Sequence, residues 1–135
     1  NGTILHTTNG GLAWTLQNSG TSADLRDISF INADSGWAVG SNGTVLRTSD
    51  GGATWTEQEA DIVEQIWSVG FVNDSTGWMV GEEGLIMRTN DRGLSWMVQL
   101  TGTTNTLFDV VFRDENFGWA VGGEGIVLKT ASGGF

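Results

Sequence analysis

The chain contains no cysteine, no proline and no tyrosine in 135 residues, and a single histidine, His6. Without cysteine there can be no disulfide framework and no thiolate metal site, and redox chemistry leaves the compartment open. One histidine leaves only carboxylates as metal ligands, and these lack the spacing of a calcium loop. Neither a metal nor a cofactor is expected. Basic residues are also scarce: 6 Lys and Arg face 16 Asp and Glu, a formal net charge of −10. That balance argues against a nucleic-acid partner or an anionic membrane surface, both of which need clustered Lys and Arg. It suits a solvated acidic surface, or a basic partner. Long apolar runs are missing as well. None approaches the ~20 residues of a membrane-spanning helix, so no membrane insertion is expected, and no signal peptide is visible.

What is present is periodic. Trp37, Trp78 and Trp119 recur every 41 residues, and so do Trp14, Trp55 and Trp96. Phe30, Phe71 and Phe112 keep the same period, as do Gly40, Gly81 and Gly122. A further series runs His6, Arg47, Arg88, Lys129. A period of this length marks a solenoid or a propeller. Residues 25–31 alternate apolar and polar and predict a strand with Leu25, Ile28 and Phe30 buried. Trp37 to Gly40 predicts a second strand, and Ser41-Asn42-Gly43 a hairpin turn, for which Asn-Gly is a strong signal. Thr44 to Thr48 predicts a third strand. Ala53 to Glu57, with Thr54 and Trp55, predicts a fourth. Four short antiparallel strands in ~40 residues make a propeller blade. Trp37, Trp78 and Trp119 are expected in the core.

The fold expected is therefore all-β: an incomplete β-propeller segment of four-stranded antiparallel blades with a 41-residue repeat. On this phase about three and a half blades are present: a half blade at 1–17, blades at 18–58 and 59–99, and an incomplete blade at 100–135. The chain opens inside one repeat and stops inside another, which points to a larger propeller. Severed blade faces are expected to be apolar and to promote self-association.

The turn before the last strand also recurs. Its best copy runs Thr48-Ser49-Asp50-Gly51-Gly52-Ala53-Thr54-Trp55, followed by Thr89-Asn90-Asp91-Arg92-Gly93-Leu94-Ser95-Trp96. A weaker copy has Asn9 in place of Asp, with Gly11, Ala13 and Trp14, and Thr130 to Gly134 begins a fourth with Ser132. The pattern resembles the Asp-box, or bacterial neuraminidase repeat (BNR). Asp50 and Asp91 can accept backbone N–H bonds across their own turns, and Asn9 can do the same. Gly52 and Gly93 permit positive φ, and Trp55 and Trp96 clamp the hairpin. These residues are read as structural, because a catalytic residue need not recur in every blade.

The rest of the repeat is more discriminating. Ile28-x-Phe30, then Gly36-Trp37-Ala38-Val39-Gly40, then Gly43-Thr44-Val45-Leu46-Arg47-Thr48 resembles the photosystem II assembly and stability factor family. Two further copies run from Val69 and from Val110. The resemblance implies a propeller without enzyme activity that binds a protein or peptide partner, in a periplasmic, lumenal or extracellular setting, and bacterial relatives are numerous. It names no ligand for this chain.

Three sets of residues could bind. Arg47, Arg88 and Lys129 hold equivalent third-strand positions. They form either an arc that grips a carboxylate-bearing segment or cations paired with acidic neighbours. The second hairpin tips, with Ser41-Asn42, Glu82-Glu83 and Gly123-Glu124, vary on a constant frame, which is where binding usually sits; the other reading is a solvated turn. Trp67 and Phe108 share the position of Arg26 and could stack on a sugar or a partner, or be buried between blades. Asn-x-Ser/Thr occurs at Asn1, Asn42 and Asn73, a weak pattern.

A non-catalytic binding propeller leads the functional readings. The first alternative is a fragment of an Asp-box glycosidase. A sialidase would need a tyrosine, which is absent, and an endoglucanase two opposed carboxylates, for which Asp24, Asp61 and Glu64 are available. The second is a purely structural module of a surface protein.

Overall fold

The structure, a computed structural model, describes residues 1–134. It is built from thirteen short strands in four antiparallel sheets. The first sheet pairs β1 (Thr3–His6) with β2 (Thr15–Asn18). The second runs β3 (Leu25–Phe30), β4 (Gly36–Gly40), β5 (Val45–Thr48), β6 (Thr56–Gln58) in simple meander order. The third repeats it as β7 (Ile66–Phe71), β8 (Gly77–Gly81), β9 (Ile86–Thr89), β10 (Met97–Val98). The last has β11 (Leu107–Phe112), β12 (Gly118–Gly122) and β13 (Val127–Thr130). The first strands of the last three sheets, β3, β7 and β11, pack against one another.

Each hydrophobic core lies between two successive sheets. Ile4 meets Ala38 and Leu46 between the first and second. Val39, Val45, Ile66, Val69, Met79 and Met87 fill the next junction, and Trp78, Val80, Ile86, Leu107, Val110 and Ala120 the last. One ring of contacts repeats at the two inner junctions. Trp37 stacks on Phe71 at 3.5 Å, and Trp78 on Phe112 at 3.5 Å. The indole Nε1 of Trp37 donates to the Arg92 carbonyl at 2.9 Å, and that of Trp78 to the Gly133 carbonyl at 3.1 Å. The Phe71 ring lies flat over Gly77, where any side chain would collide with it, since a Cβ would come within 2.6 Å. The recurrent Phe, Gly and Trp thus have one cause: the ring needs a bare strand below it and an indole above.

The second hairpins close through type I′ turns. Asn42 and Gly43 both have positive φ (57° and 66°), and the Thr44 N–H donates to the Ser41 carbonyl at 3.2 Å. Type I′ turns match the twist of the flanking strands and favour Asn-Gly. In the next two sheets Glu83 (φ 54°) and Glu124 (φ 55°) hold the same left-handed position.

Several expectations from the sequence need correction. Ile28 and Phe30 are exposed, at 49% and 42%, because the two-stranded first sheet covers only part of the face they lie on. Trp119 is 37% exposed, while Trp37 and Trp78 are fully buried; among the described residues no further sheet covers it. The fourth strand starts at Thr56, so Thr54 and Trp55 belong to the preceding turn, where Asp50 holds the Thr54 N–H and hydroxyl.

Candidate binding surface

The three central strands share an irregularity. Pairing of β3, β7 and β11 with their neighbours shifts between Leu25 and Asp27, between Ile66 and Ser68, and between Leu107 and Asp109. The residues at the bulges are Arg26, Trp67 and Phe108, so equivalent positions on three sheets form one row. The Arg26 guanidinium lies 4.3 Å from the Trp67 ring centre, and one of its nitrogens donates to Gln65 Oε1 at 3.3 Å. Trp67 and Phe108 meet edge to face at 5.6 Å. Arg26 and Phe108 are exposed and Trp67 is half-buried. The Trp67 Nε1 is buried and has no hydrogen-bond partner among the described residues.

Beside this row the strands are tied by polar groups. The Ser68 hydroxyl lies 2.8 Å from Asp27 Oδ2 and 3.0 Å from Asp109 Oδ1. With one proton it can donate to only one carboxylate at a time. Asp27 also accepts the backbone N–H of Val69 at 2.9 Å, which bridges two sheets directly. These bonds hold the spacing of Arg26, Trp67 and Phe108. Asp27, Ser68 and Asp109 keep the 41-residue period, a signal the sequence carried but that sequence reasoning missed, because an alternation of Asp and Ser has no obvious local role.

The third-strand cations stand elsewhere. Each lies across the sheet from a tryptophan: Arg47 from Trp37, Arg88 from Trp78, Lys129 from Trp119. The charged groups sit over those rings at 5.8, 5.2 and 6.0 Å, at the limit of cation–π attraction. None makes an ion pair among the described residues. The Nε atoms of Arg47 and Arg88 are buried without a partner. Each cation therefore belongs to its own sheet. His6 is exposed on β1.

Glu82 and Glu83 border a cleft of about 430 Å³ together with Glu64, Leu100, Thr101 and Thr103. Glu82 is half-buried and Glu83 exposed. No group of three or more His, Asp or Glu side chains is placed to hold a metal ion among the described residues.

The recurrent turns consume their own polar groups. Asp50 accepts the Thr48 hydroxyl (2.8 Å), the Thr54 N–H (2.9 Å) and the Thr54 hydroxyl (2.6 Å), while the Gly52 N–H donates to Thr48 Oγ1 (2.8 Å). Asp91 repeats this with Thr89 and Ser95, and the Gly93 N–H donates to Thr89 Oγ1. Asn9 accepts the Ala13 N–H at 2.9 Å. The Thr54 hydroxyl, then its N–H, holds the Asp50 carboxyl below its ordinary value. At Asp91 burial pushes upward and is the largest single influence, but the Ser95 hydroxyl and N–H with the Thr89 hydroxyl outweigh it and leave the carboxyl lowered. Trp55 and Trp96 cover these turns from the side, edge-on to Phe30 and Phe71.

Comparison with known proteins meets this geometry. Residues 7–101 match the sequence family described as photosynthesis system II assembly factor YCF48. The chain belongs to that family. Its fold is also that of the solved structure of YCF48 bound to D1 peptide, with TM-score 0.76 and 29% identity, over 84% of this chain and 39% of that one. YCF48 from Cyanidioschyzon merolae aligns with TM-score 0.74 and 28% identity, over 85% of this chain and 39% of that one. The chain thus spans about two fifths of the length of these YCF48 structures. No curated protein matches it. A YCF48-like β-propeller segment is the architecture on which the surfaces above are mounted.

Proposed function

We propose that this chain is part of a non-catalytic propeller that holds a peptide, or an extended protein segment, during assembly of photosystem II. The observation that carries this reading is the row Arg26, Trp67, Phe108 across three central strands. It offers a guanidinium fork for a carboxylate and two aromatic faces for apolar side chains. In support stands the relative solved with a D1 peptide. The polar groups of the recurrent turns are spent on the turns themselves, which leaves Asp50 and Asp91 no free role in acid–base chemistry. Arg47, Arg88 and Lys129 add positive charge on separate sheets, and Glu82 and Glu83 discourage acidic segments from the hairpin side.

Labelled synthetic D1 peptides, titrated into the 135-residue chain and followed by fluorescence anisotropy, test this. Saturable binding is expected. Arg26→Glu and Trp67→Ala should each weaken it about tenfold, equivalent to ~1.4 kcal/mol. Arg47→Glu with Arg88→Glu should weaken it less. No saturable binding, or unchanged binding when Arg26 and Trp67 are both replaced, would sink the reading.

A further inference from the structure

One chemically reactive pair of residues lies apart from the binding surface. Asn-Gly is the dipeptide most prone to spontaneous loss of a side-chain amide, because an unhindered glycine nitrogen can attack the preceding carboxamide. It occurs at Asn1, Asn9 and Asn42. Asn9 is engaged: its Oδ1 accepts the Ala13 N–H at 2.9 Å and the Thr7 hydroxyl at 3.0 Å. Asn42 sits at the hairpin tip between β4 and β5, where the second sheet meets the segment leading into the third, both sheets having four strands. Its carboxamide is exposed and makes no hydrogen bond among the described residues. It borders an open cleft of about 400 Å³ with Glu57, Glu59 and Asp61. The same turn position holds Glu83 and Glu124 in the next two sheets, and these have no amide to lose.

The backbone of this pair is closed although its side chain is open. The Gly43 N–H donates to the Glu64 carbonyl at 2.9 Å, which ties the hairpin tip to the segment before β7. The Ile62 carbonyl lies against Gly43 so closely that a Cβ there would collide with it. Ring closure makes a second demand. A five-membered imide needs the Gly43 nitrogen nearly eclipsed with the Asn42 Cβ about the Cα–C bond. At ψ 39° that nitrogen is turned to the far side. Rotating it into place breaks the turn, in which the Thr44 N–H donates to the Ser41 carbonyl at 3.2 Å. The electrophile is therefore exposed, while the nucleophile is hydrogen-bonded and misaligned.

We propose that Asn42–Gly43 is a latent isoaspartyl site gated by the contact between this hairpin tip and residues 62–64. It reacts when the contact opens and, once converted, keeps the contact from reforming. On opening, the Gly43 nitrogen gives up its proton and bonds to Asn42 Cγ. The Cγ–Nδ2 bond breaks, and ammonia leaves with that proton. Water then opens the cyclic imide at either carbonyl, giving aspartate or isoaspartate. Nothing is oxidised or reduced. Hairpin tips and connecting segments open locally at a fraction of the global unfolding free energy, so the gate operates in the folded chain. Isoaspartate routes the main chain through Cβ and Cγ and makes it one carbon longer. A two-residue type I′ turn has no slack for that atom, and the Ile62 carbonyl leaves no room beside Gly43. The Gly43 N–H then loses the Glu64 carbonyl. The aspartyl product keeps the original chain length and closes as before.

This inference does not depend on peptide binding and fails separately from it. Loss of the Asn42 amide is followed at mildly alkaline pH in the 135-residue chain, shown folded by circular dichroism, and in a synthetic peptide of residues 38–48. Tryptic cleavage after Arg26 and Arg47 separates Asn42 from Asn1 and Asn9 for mass spectrometry. The folded chain should react at least about tenfold more slowly than the peptide, the factor for an opening cost of ~1.4 kcal/mol. Equal rates overturn the proposal. Urea below the unfolding transition should speed the reaction at Asn42 together with hydrogen exchange at the Gly43 amide. A reaction that waits for global unfolding overturns the gate. The isoaspartyl chain, isolated by ion exchange, should exchange the Gly43 amide as fast as the peptide does. Asn42→Asp, with the same charge and an unaltered main chain, should keep that amide protected. Protection retained in the isoaspartyl chain, or lost in both, overturns the claim that conversion holds the contact open.

Discussion

At the scale of single residues, the repeat assigns each side chain a fixed job. Trp78 illustrates the most expensive one. It is fully buried, stacked on Phe112 and hydrogen-bonded to the Gly133 carbonyl. Replacing it with Ala removes a large ring from a packed junction and opens a cavity, which costs about 3–5 kcal/mol. Urea denaturation followed by circular dichroism should show that loss. Glu83 illustrates a position the family geometry strains. It sits at φ 54° in a type I′ turn where its counterpart in the preceding sheet is Asn42. The left-handed region costs an ordinary residue ~1–2 kcal/mol, and Asn pays less of it because its side chain bonds locally. Glu83→Asn should therefore raise stability by about 0.5–1 kcal/mol, read as a higher urea midpoint at unchanged slope.

At the scale of elements, the turns before the fourth strands decide the acid response. The carboxyls of Asp50 and Asp91 are held below 3.8 by hydroxyl and backbone donors in the folded turn. Asp114 is lowered as well, by the backbone N–H groups of Asn116 and Phe117. A carboxyl whose folded value is depressed stabilises the fold fully above its unfolded value. That contribution drains away as pH falls through the lower folded value. The urea midpoint should thus decline as pH is lowered from about 5 toward 2. The variant Asp50→Asn with Asp91→Asn should show a shallower decline over the same range. Asn is a fair replacement, because Asn9 already accepts the Ala13 N–H at 2.9 Å in the first turn. An equally steep decline in the variant would assign the acid sensitivity to other carboxylates.

At the scale of the whole molecule, the candidate surface exists only because three sheets meet. Arg26, Trp67 and Phe108 come from different sheets, and the Asp27, Ser68 and Asp109 bonds keep their strands in step. The proposed peptide site is therefore a property of the assembly, and Phe108→Ala on one sheet should weaken a D1 peptide much as Trp67→Ala does on another. A fall in affinity confined to one sheet would reduce the site to a local contact. Against the acidic balance of the chain, −10 overall, the exposed guanidinium of Arg26 is one of only 6 Lys and Arg side chains, which narrows where a carboxylate can settle.

Strands, turns and period were legible in the sequence because each is a local property. Alternation of apolar residues, Asn-Gly at a hairpin and Trp every 41 residues all act over a few neighbours or repeat in register. Placing Trp55 inside the fourth strand failed at the one spot where a side chain, Asp50, diverts the backbone N–H groups that would have begun the ladder. Which faces are covered was decided only by the tertiary structure. Phe30 and Phe71 occupy the same repeat position, yet Phe30 is 42% exposed and Phe71 lies under Trp37. Trp119 differs from Trp78 in the same way. Burial in a repeat protein is a property of the junction, not of the repeat, since each unit hides its apolar face only against the next. For the same reason the Arg26, Trp67, Phe108 row, split over 82 residues of chain, became a surface only when β3, β7 and β11 packed side by side.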